Sequence, residues 1–162
     1  GFFNLTRFSL GRLQFEVINF NDDYTDGVHA LTSDTPVINV HIPKTGKPLD
    51  KESCDESYQM AKEFFKKEVP SGAFVCHSWL LYPENKNILS PTSNLYSFIE
   101  RFDVIDVQDD FEYRDAWRLF DKDYNGNADD LPQDTSFRRA YVERIKNKQP
   151  LGCAYGVWVY KN

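Results

Sequence analysis

Hydrophobic and polar positions alternate from Arg12 to Phe20, with Leu13, Phe15 and Val17 on one side and Arg12, Gln14 and Glu16 on the other. A period of two predicts a strand. Asn21-Asp-Asp marks a turn, a short strand follows around Val28 to Leu31, and Ser33-Asp-Thr-Pro36 leads into a third strand, Val37 to Pro43. The period then lengthens. Cys54, Tyr58, Ala61 and Phe65 recur at helical spacing with Phe64 beside them, Ser53 and Glu56 have the spacing of a capping box, and Pro70-Ser-Gly72 ends the run. A second apolar strand, Ala73 to Leu81, completes a βαβ crossover with a histidine, His41 or His77, in each strand. Such crossovers are right-handed and parallel, and ligands bind where parallel strands end and diverge.

The remaining pattern adds a short helix at Pro83 to Leu89 and an amphipathic helix from about Thr92 with Leu95, Phe98, Ile99 and Phe102 inward. A strand at 103–108, an aromatic stretch from Trp117 to Phe120 and a polar loop to Pro132 follow. Phe137, Ala140, Tyr141 and Ile145 define a last helix, capped by Asp134 or Thr135, and Ala154 to Tyr160 closes the chain as a strand. Helices before and after a mixed sheet predict an α+β domain in α/β/α layers, one unit over residues 1–162.

Composition narrows the classes of function. With 41% hydrophobic and 15% aromatic residues, the 162-residue chain has material for one well-packed core. A net charge of -6 argues against nonspecific adhesion to nucleic acid or anionic membrane. No apolar run approaches the roughly 20 residues of a membrane span. Cys54, Cys76 and Cys153 are too widely spaced for a disulfide framework or a Cys-x-x-Cys metal site, which points to a reducing, cytoplasmic compartment. The chain opens on Gly1 instead of methionine, as expected of a region excised from a longer protein.

The chemistry candidates are Glu16, His41 and His77. If the polar side of the first strand and the histidine sides of the crossover coincide, they form a polar cleft in an apolar layer. Histidine or glutamate there suits a general base working near neutral pH; the competing role is to tie the strands together. Cys76 beside His77 resembles a nucleophile pair, but adjacent strand residues face opposite ways, which predicts a core cysteine. Glu16, His41 and His77 lack local metal-ligand spacing, so no metal is expected. Asp121, Asp123, Asn125 and Gly126 match positions 1, 3, 5 and 6 of a calcium loop, but its twelfth position is Pro132 instead of a bidentate glutamate, so a polar turn is expected. Tyr155, Trp158, Tyr160, Trp79 and Trp117 are expected to pack the core, with an aromatic groove as the alternative.

Several strings carry a family resemblance: Arg12-Leu-Gln-Phe15, Val40-His-Ile-Pro43 with Gly46, Phe64-Phe65, Cys76-His-Ser-Trp-Leu-Leu81, Ser93-Asn94 and Asp134-Thr135. Together they resemble the GNAT-like C-terminal domain of bacterial acyltransferase domain-containing proteins, over nearly the whole chain. The resemblance implies a GNAT-like mixed, mostly antiparallel sheet with flanking helices and one parallel βαβ crossover, preceded in the complete protein by a helical N-terminal region. It also implies an acyl-CoA-dependent N-acyltransferase using acetyl-CoA or another acyl-CoA, with a small-molecule amine or a peptide as acceptor. His41, His77 and Glu16 would be the catalytic candidates, and Lys44, Thr45 and Gly46 would approach the diphosphate. Here Pro43 and Pro48 replace the polar residue and second glycine of the usual GNAT loop, and Asp50, Glu52, Asp55 and Glu56 crowd the helix start. These departures support the alternative, a noncatalytic GNAT-like module binding a small ligand or a protein.

Overall fold

The computed structural model describes residues 7–161; Gly1 lies outside them. The order is β1 (Phe8–Leu10), β2 (Leu13–Asn19), β3 (Tyr24–Thr25), β4 (Ala30–Leu31), β5 (Pro36–His41), α1 (Lys51–Phe64) and β6 (Ala73–Ser78). Then come α2 (Glu84–Ile88), α3 (Asn94–Glu100), β7 (Asp103–Asp110), α4 (Ala116–Phe120), α5 (Ser136–Lys146) and β8 (Leu151–Val159). Six strands form one sheet in the order β1-β2-β5-β6-β8-β7, and β3 pairs with β4 as a separate hairpin. The single parallel pair in the large sheet is β5 with β6, joined by α1 as the crossover.

Alternation fixes which side each strand buries. Leu13, Phe15, Ile38, Val40, Phe74, Cys76 and Ala154 pack with Tyr58 and Ala61 of α1 and Phe98 and Ile99 of α3. On the other face, Phe20, Val37, Val75 and Val157 pack with Leu31 of β4, and Leu151 packs with Tyr141, Val142 and Ile145 of α5. The expected layers are therefore present.

Several boundaries differ from the sequence reading. The N-cap of α1 is Asp50, not Ser53: the Asp50 carboxylate accepts from the Ser53 amide at 3.0 Å. Of the two caps offered for α5, Thr135 is the one used. The strand expected to reach Leu81 ends at Ser78, because Trp79–Leu81 forms a 3₁₀ turn. Asn85, fully buried, donates to the Trp79 and Leu80 carbonyls at 2.9 and 2.8 Å and so supplies partners that a ladder would otherwise provide. The closing strand starts at Leu151 instead of Ala154, in register with β7 through Asp110↔Leu151.

Candidate functional site

The central parallel pair comes apart at one end. β5 and β6 are in register only at Ile38↔Phe74 and Asn39↔Val75. Beyond that point β5 stays with β2 through Gln14↔His41, and β6 stays with β8 through Ser78↔Ala154. Each strand follows its antiparallel neighbour, so the sheet divides into two halves. A wedge-shaped cavity of about 640 Å³ opens between them, bordered by His41, His77, Trp79, Leu95 and the loop that links β5 to α1.

The charges around this wedge are one-sided. In a chain with a net charge of -6, its described lining carries Arg12, Lys44, Lys47 and Arg118 and no carboxylate. The loop also offers free donors. Among the described residues, the amides of Lys44, Thr45 and Gly46 make no hydrogen bond to protein; the Lys47 amide donates to Thr45 Oγ1 at 3.2 Å. Gly46 has φ +73°, a left-handed conformation favouring glycine, and nothing lies within 4 Å of where a Cβ would sit. Unpartnered amides around a left-handed residue form a concavity suited to an anion.

Glu16, His41 and His77 do share one face of the sheet: Glu16 is opposite Asn39, Gln14 opposite His41, and Asn39 opposite Val75. They form two networks there. His41 Nε2 lies 2.6 Å from Glu16 Oε1, which also accepts from Asn39 Nδ2 at 3.0 Å. Glu16 is buried. Burial disfavours its charge, but the hydrogen bonds from His41 and Asn39, with the charges of His41 and Arg7, outweigh that and hold the carboxyl below its ordinary range. In the neutral tautomer of His41 that donates Nε2–H to this carboxylate, Nδ1 carries the ring's lone pair.

His77 belongs to the second network. It is exposed, with Nε2 3.1 Å from Gln108 Oε1 and 3.4 Å from Cys153 Sγ. Cys153 Sγ donates to the same Gln108 oxygen at 3.3 Å. Cys76, as its parity requires, is buried on the opposite face, where burial pushes its thiol up to about 12.

The calcium-like segment is a polar turn. Asp121, at φ +54°, ends α4 and pairs with Lys44 at 2.9 Å and Arg138 at 3.2 Å, while Asp129 pairs with Lys146 at 2.7 Å. Among the described residues no group of three His, Cys, Asp or Glu side chains is placed to hold a metal. Trp158 stacks on Phe74 with centroids 4.9 Å apart, as core packing predicts, whereas Trp79 and Trp117 border the wedge.

Sequence reasoning placed Arg12 only on the polar side of a strand. Its guanidinium reaches three carbonyls of the β5–α1 loop: Nε to Pro48 at 3.1 Å, Nη1 to Pro43 at 3.2 Å and Nη2 to Lys47 at 3.1 Å. The signal lay in the pairing, since extending the Gln14↔His41 register by two residues brings Arg12 opposite Pro43.

Residues 7–158 match the family model for the GNAT-like C-terminal domain. No curated protein matches the chain. A solved acyltransferase in complex with decanoyl-CoA and teicoplanin is 26% identical with a TM-score of 0.75, covering 96% of this chain and 47% of its own. An acyltransferase in complex with decanoyl-CoA is likewise 26% identical, with a TM-score of 0.72 and coverage of 93% and 45%. A third, in complex with CoA and 10C-teicoplanin, is also 26% identical, with a TM-score of 0.75 and coverage of 96% and 47%. The chain spans about half the length of the solved structures it matches.

Proposed function

Because this chain belongs to the GNAT-like C-terminal domain family, we propose that it is the acyl-CoA-binding, N-acyltransferase part of its protein. The observation that carries this reading is the wedge where β5 and β6 part, lined by cations and closed at one end by a loop with three free amides. A diphosphate needs those features, and an extended chain of amides and methylenes suits the slot between two separated strands. Lys44, Thr45 and Gly46 would hold the diphosphate. The acyl-CoA complexes of the similar solved acyltransferases support the donor.

His41 is the general base of this proposal, and Glu16 is its partner. The carboxylate fixes the ring through Nε2 and leaves Nδ1 to take a proton from the acceptor amine. As that proton moves, the nitrogen lone pair forms a bond to the acyl carbonyl carbon, the carbon–sulfur bond breaks, and CoA leaves as a thiolate that takes back the proton held on His41 Nδ1, giving the free thiol and the neutral imidazole. Glu16, held ionised, stabilises the imidazolium that forms. His77, which borders the other side of the wedge, would contact the acceptor or the thioester.

The acceptor in this reading is an amine, on a small molecule or a peptide, and a helical N-terminal region of the complete protein borders the acceptor side. No described helix is long and apolar enough to cross a membrane. Pro48, with no N–H to donate, favours the competing reading of a noncatalytic binding module.

Calorimetric titration of the complete protein with decanoyl-CoA and acetyl-CoA separates the two. The proposal expects saturable, stoichiometric binding of at least one of them, followed by loss of transfer in H41A and E16Q with binding retained. Absence of acyl-CoA binding, or unchanged turnover in both variants, overturns it.

A further inference from the structure

We propose that Arg12 is a positioning residue for the diphosphate of the acyl donor, an inference that rests on the acyl-CoA reading above. Its guanidinium gathers the carbonyl oxygens of Pro43, Lys47 and Pro48; it thereby turns the Lys44 amide outward and pins both ends of the segment that carries the Thr45 and Gly46 amides.

Peptide geometry makes the connection. In a trans peptide the carbonyl and the following N–H point in opposite directions. Drawing the Pro43 carbonyl onto Arg12 therefore turns the Lys44 amide away from it, and drawing in the Pro48 carbonyl does the same for the Leu49 amide. The Lys47 carbonyl precedes Pro48, which has no N–H, so bonding it costs the loop no donor. Two of the three carbonyls that the guanidinium takes up thus belong to the prolines of this loop, Pro43 and Pro48, and the third belongs to the residue before Pro48. The fork geometry matters: Nε, Nη1 and Nη2 are each used once, at 3.1, 3.2 and 3.1 Å. A lysine ammonium has no such planar arrangement.

Arg12 is itself anchored. Its amide donates to Ser57 Oγ of α1 at 2.7 Å, and the next amide, that of Leu13, donates to the same oxygen at 3.3 Å. Gly11 before it adopts φ +72°, and a Cβ there would lie 2.7 Å from Ser57 Oγ. Helix, hairpin and loop therefore meet at one residue, the helix through its backbone amide and the loop through its side chain. Without it, a glycine-containing loop samples other arrangements, and the affinity for an anion falls by the fraction of time the amides are correctly presented.

The test measures binding of an acyl-CoA and of the matching acyl-pantetheine, which lacks the diphosphate and nucleotide, to the complete protein as wild type, R12A and R12K. If the loop is correctly formed for roughly 1–10% of the time in the variants, the dissociation constant for acyl-CoA rises about 10- to 100-fold. Acyl-pantetheine binding stays within about twofold. R12K resembles R12A because charge alone does not organise three carbonyls. Equal losses for both ligands, no loss, or full rescue by R12K overturns the positioning role. If R12A fails to fold, R12K decides by the same criteria. A wild-type protein that binds acyl-CoA no better than acyl-pantetheine instead refutes the diphosphate assignment itself.

Discussion

Replacing Asn85 with alanine tests how the wedge wall is held. Asn85 is fully buried, donates to the carbonyls of Trp79 and Leu80 at 2.9 and 2.8 Å, and accepts from the Tyr141 hydroxyl of α5. The 3₁₀ turn it supports contributes Trp79 and Leu80 to the wedge. Alanine leaves the Leu80 carbonyl and the Tyr141 hydroxyl without this partner, while the Trp79 carbonyl keeps the Tyr82 amide at 3.1 Å. At about 1–3 kcal/mol for each buried polar group left unpaired, with the carbonyl at the low end because it has a second lone pair, the expected loss is about 2–4 kcal/mol. For a domain of this size that lowers the melting temperature by roughly 4–16 °C. Urea unfolding followed by fluorescence and circular dichroism measures the loss directly. N85D preserves shape but replaces the donating amide with oxygen, so it should be at least as damaging. Y141F removes only one donor and should cost about 1 kcal/mol. An N85A loss below about 1 kcal/mol, or an N85D protein as stable as wild type, would refute the satisfaction argument.

Glu16 contributes stability that is complete above its ordinary unfolded value and disappears as pH falls through its lower folded value; urea midpoints of wild type should therefore drop more steeply with acidification than those of E16Q. Parallel curves would remove the pair from the account. Gly152→Ala places a Cβ against the Gln108 carbonyl oxygen and the Tyr82 ring, one pair from the end of the β7–β8 ladder, and should cost about 1–3 kcal/mol in the same assay. Neutralising Glu52 and Glu56 together to glutamine should leave acyl-CoA affinity within about twofold, while K47A should weaken it several-fold and reduce its dependence on salt; the reverse ordering would contradict the charge map of the wedge.

Local features were legible where one chemical preference dominates. The alternation of Leu13, Phe15 and Val17 defined β2 and its buried face, and it correctly assigned Cys76 and His77 to opposite faces. The shared face of Glu16, His41 and His77 followed from parity once the strands were paired. What escaped the sequence depends on contacts far apart in the chain. The stop at Ser78 has one local mark, its hydroxyl accepting from the Leu80 amide at 3.1 Å, but the Asn85 that takes up the Trp79 and Leu80 carbonyls is itself held by Tyr141 of α5. Ser53 and Asp50 both suit a cap, and the choice is settled only by which carboxylate or hydroxyl reaches a free amide. Arg12 was legible only as part of the polar side of a strand until the β2–β5 register carried it to the loop. The division of His41 and His77 into separate networks likewise depends on partners from β2, β7 and β8.

Charge is where sequence proximity misleads most. Asp50, Glu52, Asp55 and Glu56 crowd the start of the helix that follows the loop, an arrangement that by position alone would repel a diphosphate. Their side chains are committed elsewhere. Asp50 caps the Ser53 amide, and Asp55 pairs with Lys51 at 3.1 Å and with Arg101, whose guanidinium also stacks over Tyr58 and Trp158. Glu52, Asp55 and Glu56 border a different cavity, of about 920 Å³, together with Tyr24, Asp103 and Trp158, and none of them borders the wedge. A helix shows opposite sides to solvent, so residues adjacent in sequence can belong to cavities of opposite sign. Interactions between exposed charges are largely screened beyond about 8–10 Å in physiological salt. The loop therefore lies nearer the cations that line its own cavity, Arg12 and Lys47 together with Lys44 and Arg118, which are paired at the rim with Asp121 and Asp115, and the net charge of the chain is a poor guide to the charge of this cavity.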